Sequence, residues 1–143
     1  MKRMILKNEF AEHSDIYAMG VVNDCRDDKV IVKVYEGGKE GRAPHVHVTF
    51  GDGKMCCVSL IKAEYAKHHD DLPKLPGKDK KKFVSVMSSP CNAALEDAHG
   101  VLKKGNGYQY AVYLWVRSHE HGSYEKFNIG DDGLPIMPDY SKL

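Results

Sequence analysis

The stretch PHVHVTFGDGKMCCVSL, Pro44 to Leu60, constrains the fold more than any other part of this chain. Two runs of strand-forming residues, PHVHVTF and KMCCVSL, are separated by the three residues Gly51-Asp52-Gly53. A three-residue hairpin loop commonly ends on a left-handed residue, a conformation that glycine takes without steric cost. The spacing therefore predicts an antiparallel hairpin with Val46 opposite Val58, Val48 opposite Cys56, His47 opposite Cys57 and His45 opposite Ser59. Side chains alternate between the two faces of a strand, so a slip of one residue would bury both histidines and expose the valines. The valines decide the register, and His45, His47 and Thr49 then share the less apolar face.

The flanking segments extend this ribbon into a sheet. SDIYAMGVVND (Ser14–Asp24) is short, rich in β-branched and aromatic residues and bounded by polar ones, and it reads as a strand. Asp27 and Asp28 offer a turn before KVIVKVY (Lys29–Tyr35), a second strand with Val30, Val32 and Val34 on one face. EGGKEGRA (Glu36–Ala43) is a loop by its three glycines.

Past Leu60 the pattern turns helical. In KLPGKDKKKFVSVMS a Pro-Gly break precedes Phe83, Val84 and Met87 at helical spacing. SSPCNAALEDAHGVLKKG predicts a second helix, with Ser89 as N-cap, Pro90 at the first helical position and Gly105 past the end. Its apolar stripe would be Ala94, Leu95, Ala98, Val101 and Leu102, with Gly100 as a weak point. GYQYAVYLWVRS is rich in strand formers, yet Tyr108, Ala111, Val112 and Trp115 form a helical stripe after Asn106 as cap, and helix is the expectation. The tail from Gly130, with two prolines and few apolar residues, is expected to run extended over the surface. Strands first and helices second predict an α+β domain over residues 1–129, with an extended tail over 130–143. Its architecture would be an antiparallel meander of three or four strands followed by two or three helices packed on its apolar face.

A chain of 143 residues fits one domain, burying about 68–70% of the surface that the unfolded chain exposes. A core is affordable without disulfides or metal. Lysine and arginine total 21 against 20 acidic residues, so the balance of +1 neither announces a nucleic-acid binder nor suggests disorder. The apolar runs fall far short of the roughly 20 residues that cross a bilayer. The basic start MKRMILKNEFAEH lacks the apolar block of about 7–15 residues that marks a signal peptide. Cys25, Cys56, Cys57 and Cys91 lack the paired spacing of a zinc knuckle or a CxxC redox site, and are expected to be reduced thiols in a cytoplasmic protein.

GRAPHVHVTFGDGKMCCVSL resembles the opening of a family of small bacterial domains of unknown function whose hallmark is a Pro-His-x-His strand. There the pair follows a strand and a loop, as in KVIVKVYEGGKEGRAPHVHV here, and helices come next. The resemblance covers Val30 to Leu60 well and the helical half loosely. Ala43 stands where many members carry a second proline, and this chain continues well beyond Trp115. The resemblance implies a module of a toxin–antitoxin or mobile-element system that binds a protein or RNA partner. Arg42, His45, His47 and Thr49 would form its binding surface.

The residues themselves leave three roles open for the histidine pair. Histidines two apart on a strand point the same way, and imidazole suits zinc, nickel or iron. With Cys57 opposite His47, the candidate metal set is His45, His47 and Cys57, which zinc would hold at about 2.0–2.1 Å to nitrogen and about 2.3 Å to sulfur. No cofactor is required by the fold, and zinc or another divalent transition metal is the candidate one. A second role is proton transfer or phosphate contact, giving a small metal- or histidine-dependent enzyme acting on RNA or phosphate esters. The third is the polar side of an ordinary strand. Histidine-triad hydrolases also carry alternating histidines, but Thr49 stands where the third would be, so the nucleophile is missing.

Other features carry less. Histidines recur at His68-His69 and at His119-Glu120-His121; the second set could bind metal by the same alternation, yet it falls in an expected loop after the last helix, and no HExxH, GxSxG or phosphate-loop pattern is present. Lys74, Lys78, Lys80, Lys81 and Lys82 form a basic cluster that reads as the solvated start of a helix or as a phosphate contact. Lys39 and Arg42 would bring positive charge near the histidines. Cys56 belongs to the core.

Overall fold

The structure, a computed structural model, describes residues 18–21, 30–35, 43–66, 72–119 and 122–143. Its main sheet holds four antiparallel strands in chain order, β1 (Ala18–Val21), β2 (Val30–Tyr35), β3 (His45–Phe50) and β4 (Lys54–Ser59). Period-two alternation gives β2 and β3 their faces: Val30, Val32, Val34, Val46, Val48 and Phe50 are buried, and the residues between them are half-buried. β3 and β4 pair in the register that the valines demand, Val46 on Val58 and His47 on Cys57. Gly53 is left-handed (φ +94°) as the loop length requires, and Gly51 is left-handed as well (φ +57°). Neither glycine would bring a Cβ within 4 Å of another atom, so backbone conformation, not space, selects them. The outer edge of β4 is covered by the chain that follows it, through Ser59 N–H to Glu64 O and Ala66 N–H to Cys57 O, both 2.9 Å.

Two helices, α1 (Gly77–Ser88) and α2 (Gly107–Ser118), contact the sheet and each other. Phe83 and Met87 of α1 and Ala111, Val112, Leu114 and Trp115 of α2 join the sheet valines in one buried cluster. This is the expected α+β arrangement. For the ambiguous segment 107–118, helix prevails because Asn106 and Gln109 form a reciprocal capping box and the stripe Tyr108, Ala111, Val112, Trp115 is buried.

The helix expected over 89–105 does not form. A short hairpin stands there instead, β5 (Leu95–Glu96) paired with β6 (Leu102–Lys103). Ser89 ends α1 rather than starting a new helix, its N–H and hydroxyl both donating to Ser85 O at 3.0 and 2.6 Å. Asp97 Oδ1 accepts from the N–H groups of His99 (2.8 Å) and Val101 (2.9 Å), and Gly100 is left-handed at φ +81°. An aspartate offering a tight side-chain turn before a glycine competes directly with helix, and here it prevails. The supposed stripe is broken: Leu95 is buried, while Val101 is 50% and Leu102 70% exposed.

The tail from Gly130 departs from a simple surface course. Leu134 and Tyr140 are buried, and the Tyr140 hydroxyl donates to Ser59 O at 2.6 Å, beside Tyr108, whose hydroxyl donates to Leu60 O at 2.7 Å. Those two bonds satisfy carbonyls at the end of β4. Upstream, Gly133 packs on the Asp97 turn so closely that a Cβ there would lie 2.6 Å from Asp97 Oδ2.

Asp97 is the electrostatic clasp of this region. Lys103 Nζ lies 2.8 Å from Oδ2, and that contact, with the two N–H donors, holds the carboxyl down at about 2 from an ordinary 3.8. A carboxyl acidified by folding stabilises the folded state above its unfolded pKa and loses that contribution as pH falls through the folded one. The apparent thermal midpoint should therefore decline between about pH 4 and pH 2, and Asp97→Asn should remove that part of the decline. Calorimetry across this window checks it; identical acid profiles for the two proteins would contradict it.

Candidate metal centre

The outer face of the sheet, away from the helices, presents Ile31, Lys33 and Tyr35 of β2, His45, His47 and Thr49 of β3, and Met55, Cys57 and Ser59 of β4. The ladder sets how closely these side chains meet. Leu60 N–H donates to Pro44 O at 2.9 Å, which makes Pro44–Leu60 a hydrogen-bonded pair. Alternation then makes His45–Ser59 and His47–Cys57 non-hydrogen-bonded pairs, whose Cα atoms approach to about 4.5 Å and whose side chains lie closest. Pro44 has no N–H to return that bond, and Leu60 O accepts from the Tyr108 hydroxyl instead at 2.7 Å.

His45 Nδ1 lies 2.9 Å from the carbonyl of Ala43. A carbonyl only accepts, so the neutral ring making this bond carries its proton on Nδ1 and keeps its lone pair on Nε2. The two imidazole centroids are 5.2 Å apart at 55°, and Tyr35 packs against His47 at 4.5 Å and 47°. One ring nitrogen from each histidine and the Cys57 sulfur all lie within 4.8 Å of one another. Bond lengths of 2.0–2.3 Å at tetrahedral angles need donors about 3.3–3.7 Å apart. Among the described residues this is the group of three or more such donors that converges.

Cys57 is buried, and burial pushes its thiol up to about 12, with neighbouring Cys56 adding to the effect. Near neutral pH the sulfur is a thiol, and a metal that binds it must displace the proton. Cys56 sits on the core face, as expected, and burial raises its thiol to about 12 as well.

The structure brings His45, His47 and Cys57 together. Thr49 shares their face, opposite Met55. Arg42, Lys39, Cys25, His68, His69, Glu120 and His121 lie outside the described residues. His119 ends α2, its ring stacked on Trp115 at 4.2 Å and its Nδ1 2.8 Å from Trp115 O. Sequence reasoning missed Lys33 and Tyr35. The alternation of KVIVKVY puts both opposite its valines, but their place beside His47 depends on the register of β2 against β3, across a loop whose length alone does not set it. Comparison with protein-family models, curated proteins and solved structures gives no match. Among the described residues, no helix is long and apolar enough to cross a membrane.

Thiolate content controls alkylation. In the metal-free native protein near pH 7.5, Cys57 should react with iodoacetamide on the order of a thousandfold more slowly than in denaturant. Timed labelling with peptide mass spectrometry measures this. Equal rates in the native and denatured states would show that the thiol is not held as described.

Proposed function

We propose that this chain binds a transition-metal ion, zinc before others, through His45, His47 and Cys57, and that the site serves metal-assisted hydrolysis of an anionic ester. The observation that carries the reading is the convergence of two imidazole nitrogens and a sulfur within 4.8 Å on one side of a β-ribbon. Imidazole and thiolate together favour zinc over magnesium or calcium, which take oxygen donors. Three protein donors leave a tetrahedral position open, the arrangement of catalytic rather than structural zinc sites. The Ala43 carbonyl holds the His45 ring from behind, the outer contact that metal-binding histidines commonly make. Bound there, zinc would acidify a water in the open position to a hydroxide near neutral pH. Lys33, opposite His47 on the same face, suits a negatively charged substrate, and phosphate esters or RNA are the class we favour.

The other reading, a surface of His45, His47 and Thr49 for a protein or RNA partner in a toxin–antitoxin or mobile-element system, rests on the resemblance of the Pro-His-x-His strand and on one-sided polarity. The converging donors favour the metal.

Protein purified without an affinity tag, loaded with zinc and dialysed, should retain one equivalent by elemental analysis. His47→Ala and Cys57→Ala should each lose it. Retention should weaken as pH falls, because protons compete for the imidazoles and for a thiol that burial holds at about 12. Zinc-dependent cleavage of bis(p-nitrophenyl) phosphate, lost in the same variants, would support the hydrolytic part. Failure to retain zinc, or retention unchanged in both variants, would overturn the site; zinc retention without cleavage would overturn the hydrolytic role.

A further inference from the structure

Helix α1 carries Lys78, Lys80, Lys81 and Lys82 and a single carboxylate, Asp79. Folding separates them. Residues advance about 100° around a helix axis, which puts Asp79, Phe83 and Met87 on one side and Lys78, Lys81, Ser85 and Ser88 on the other. The inner three are buried, Asp79 at 3% exposure, and the outer four are exposed. Asp79 Oδ1 finds no donor among the described residues, so the acid is withdrawn from the lysines rather than spread among them. Lys74, just before the helix, is also exposed, with its ammonium 5.6 Å from the centroid of the Tyr65 ring. Lys80 Nζ, by contrast, is engaged inward on Leu143 O at 3.1 Å.

The outer face of α1 therefore offers ammonium groups and hydroxyls. Cations in the first turns of a helix oppose its dipole, and the N-cap residue is Pro76, whose side chain cannot cap. A positive face that weakens its own helix gains most from an anionic partner. The chain as a whole is nearly neutral, at +1, so the effect is local to this face.

The partner's chemistry follows from what the face holds. The apolar side of α1 is committed to the core, leaving no apolar stripe to insert into lipid. The exposed row has no arginine, asparagine or aromatic residue, the side chains that read or stack bases. Lysines spaced along one helix face suit a regular line of phosphates. The geometry points to the outer face of α1, centred on Lys78 and Lys81 with Lys74 at its end, as a sequence-independent surface for the phosphodiester backbone of a nucleic acid. It lies across the sheet from His45, His47 and Cys57, and it stands independently of the metal reading.

Fluorescence anisotropy tests it, using labelled single-stranded RNA and duplex DNA of about 20 nucleotides or base pairs. Titrations run in EDTA, so that metal plays no part. Three phosphate contacts predict a slope of log K against log salt of about −2 on RNA and −2.7 on duplex. Lys78→Gln with Lys81→Gln should make the slope shallower by about 1.4 and 1.8 respectively, and weaken binding more than tenfold at about 0.1 M salt. Lys54→Gln, at the exposed start of β4, should leave both slopes unchanged. A response on RNA alone or on duplex alone identifies which backbone the face takes. The inference fails if neither probe binds, if the double variant keeps the parent slope, or if Lys54→Gln matches its effect. It fails also if vesicles of phosphatidylserine and phosphatidylcholine bind in the same lysine-dependent way while both nucleic acids do not.

Discussion

The register of the β3–β4 hairpin governs both faces of this protein. Val46 and Val48 of β3, with Cys56 and Val58 of β4, must all point at the helices. Each buried side chain of this kind contributes about 1.5–3 kcal/mol, and a one-residue slip would forfeit all four at once. The same constraint leaves His45, His47 and Cys57 no other side on which to emerge. The donor set is thus a consequence of core packing: the apolar face is selected for burial, and the outer face inherits its geometry.

Burial on the outer face then shapes the chemistry. Cys57 is nearly as inaccessible as Cys56, although the two point to opposite sides of β4. Desolvation keeps its sulfur protonated and unreactive, and only a strongly bound cation can recover the cost of ionising it. The site as built suits a metal better than it suits a free nucleophile. The Tyr35 ring against His47 and the Ala43 carbonyl behind His45 restrict both imidazoles before any ligand arrives, so less ordering remains to be done on binding.

What could be read from sequence alone follows the range of the interactions involved. The hairpin and its partners were legible because a two-glycine turn and an alternating pattern act within a few residues of each other. Helix α2 was legible through Asn106 and its stripe, although its strand-forming composition argued the other way. The segment 89–105 misled because its apolar spacing fits a helix, while the outcome was decided by the Asp97 side chain and the Gly100 backbone acting together against it. The inward turn of Tyr140 needed the carbonyl of Ser59, a contact between residues far apart in the chain. For the site, His45, His47 and Cys57 were accessible as one set from strand pairing. The neighbours contributed by β2 were not, because nothing local ties β2 to β3.

Zinc K-edge X-ray absorption on the loaded protein tests the central claim most directly, since it reads donor types and distances at once. One sulfur at about 2.3 Å and two imidazole nitrogens at about 2.0–2.1 Å is the spectrum that this register requires. A shell of oxygen and nitrogen alone would mean that the ribbon does not place its cysteine beside its histidines.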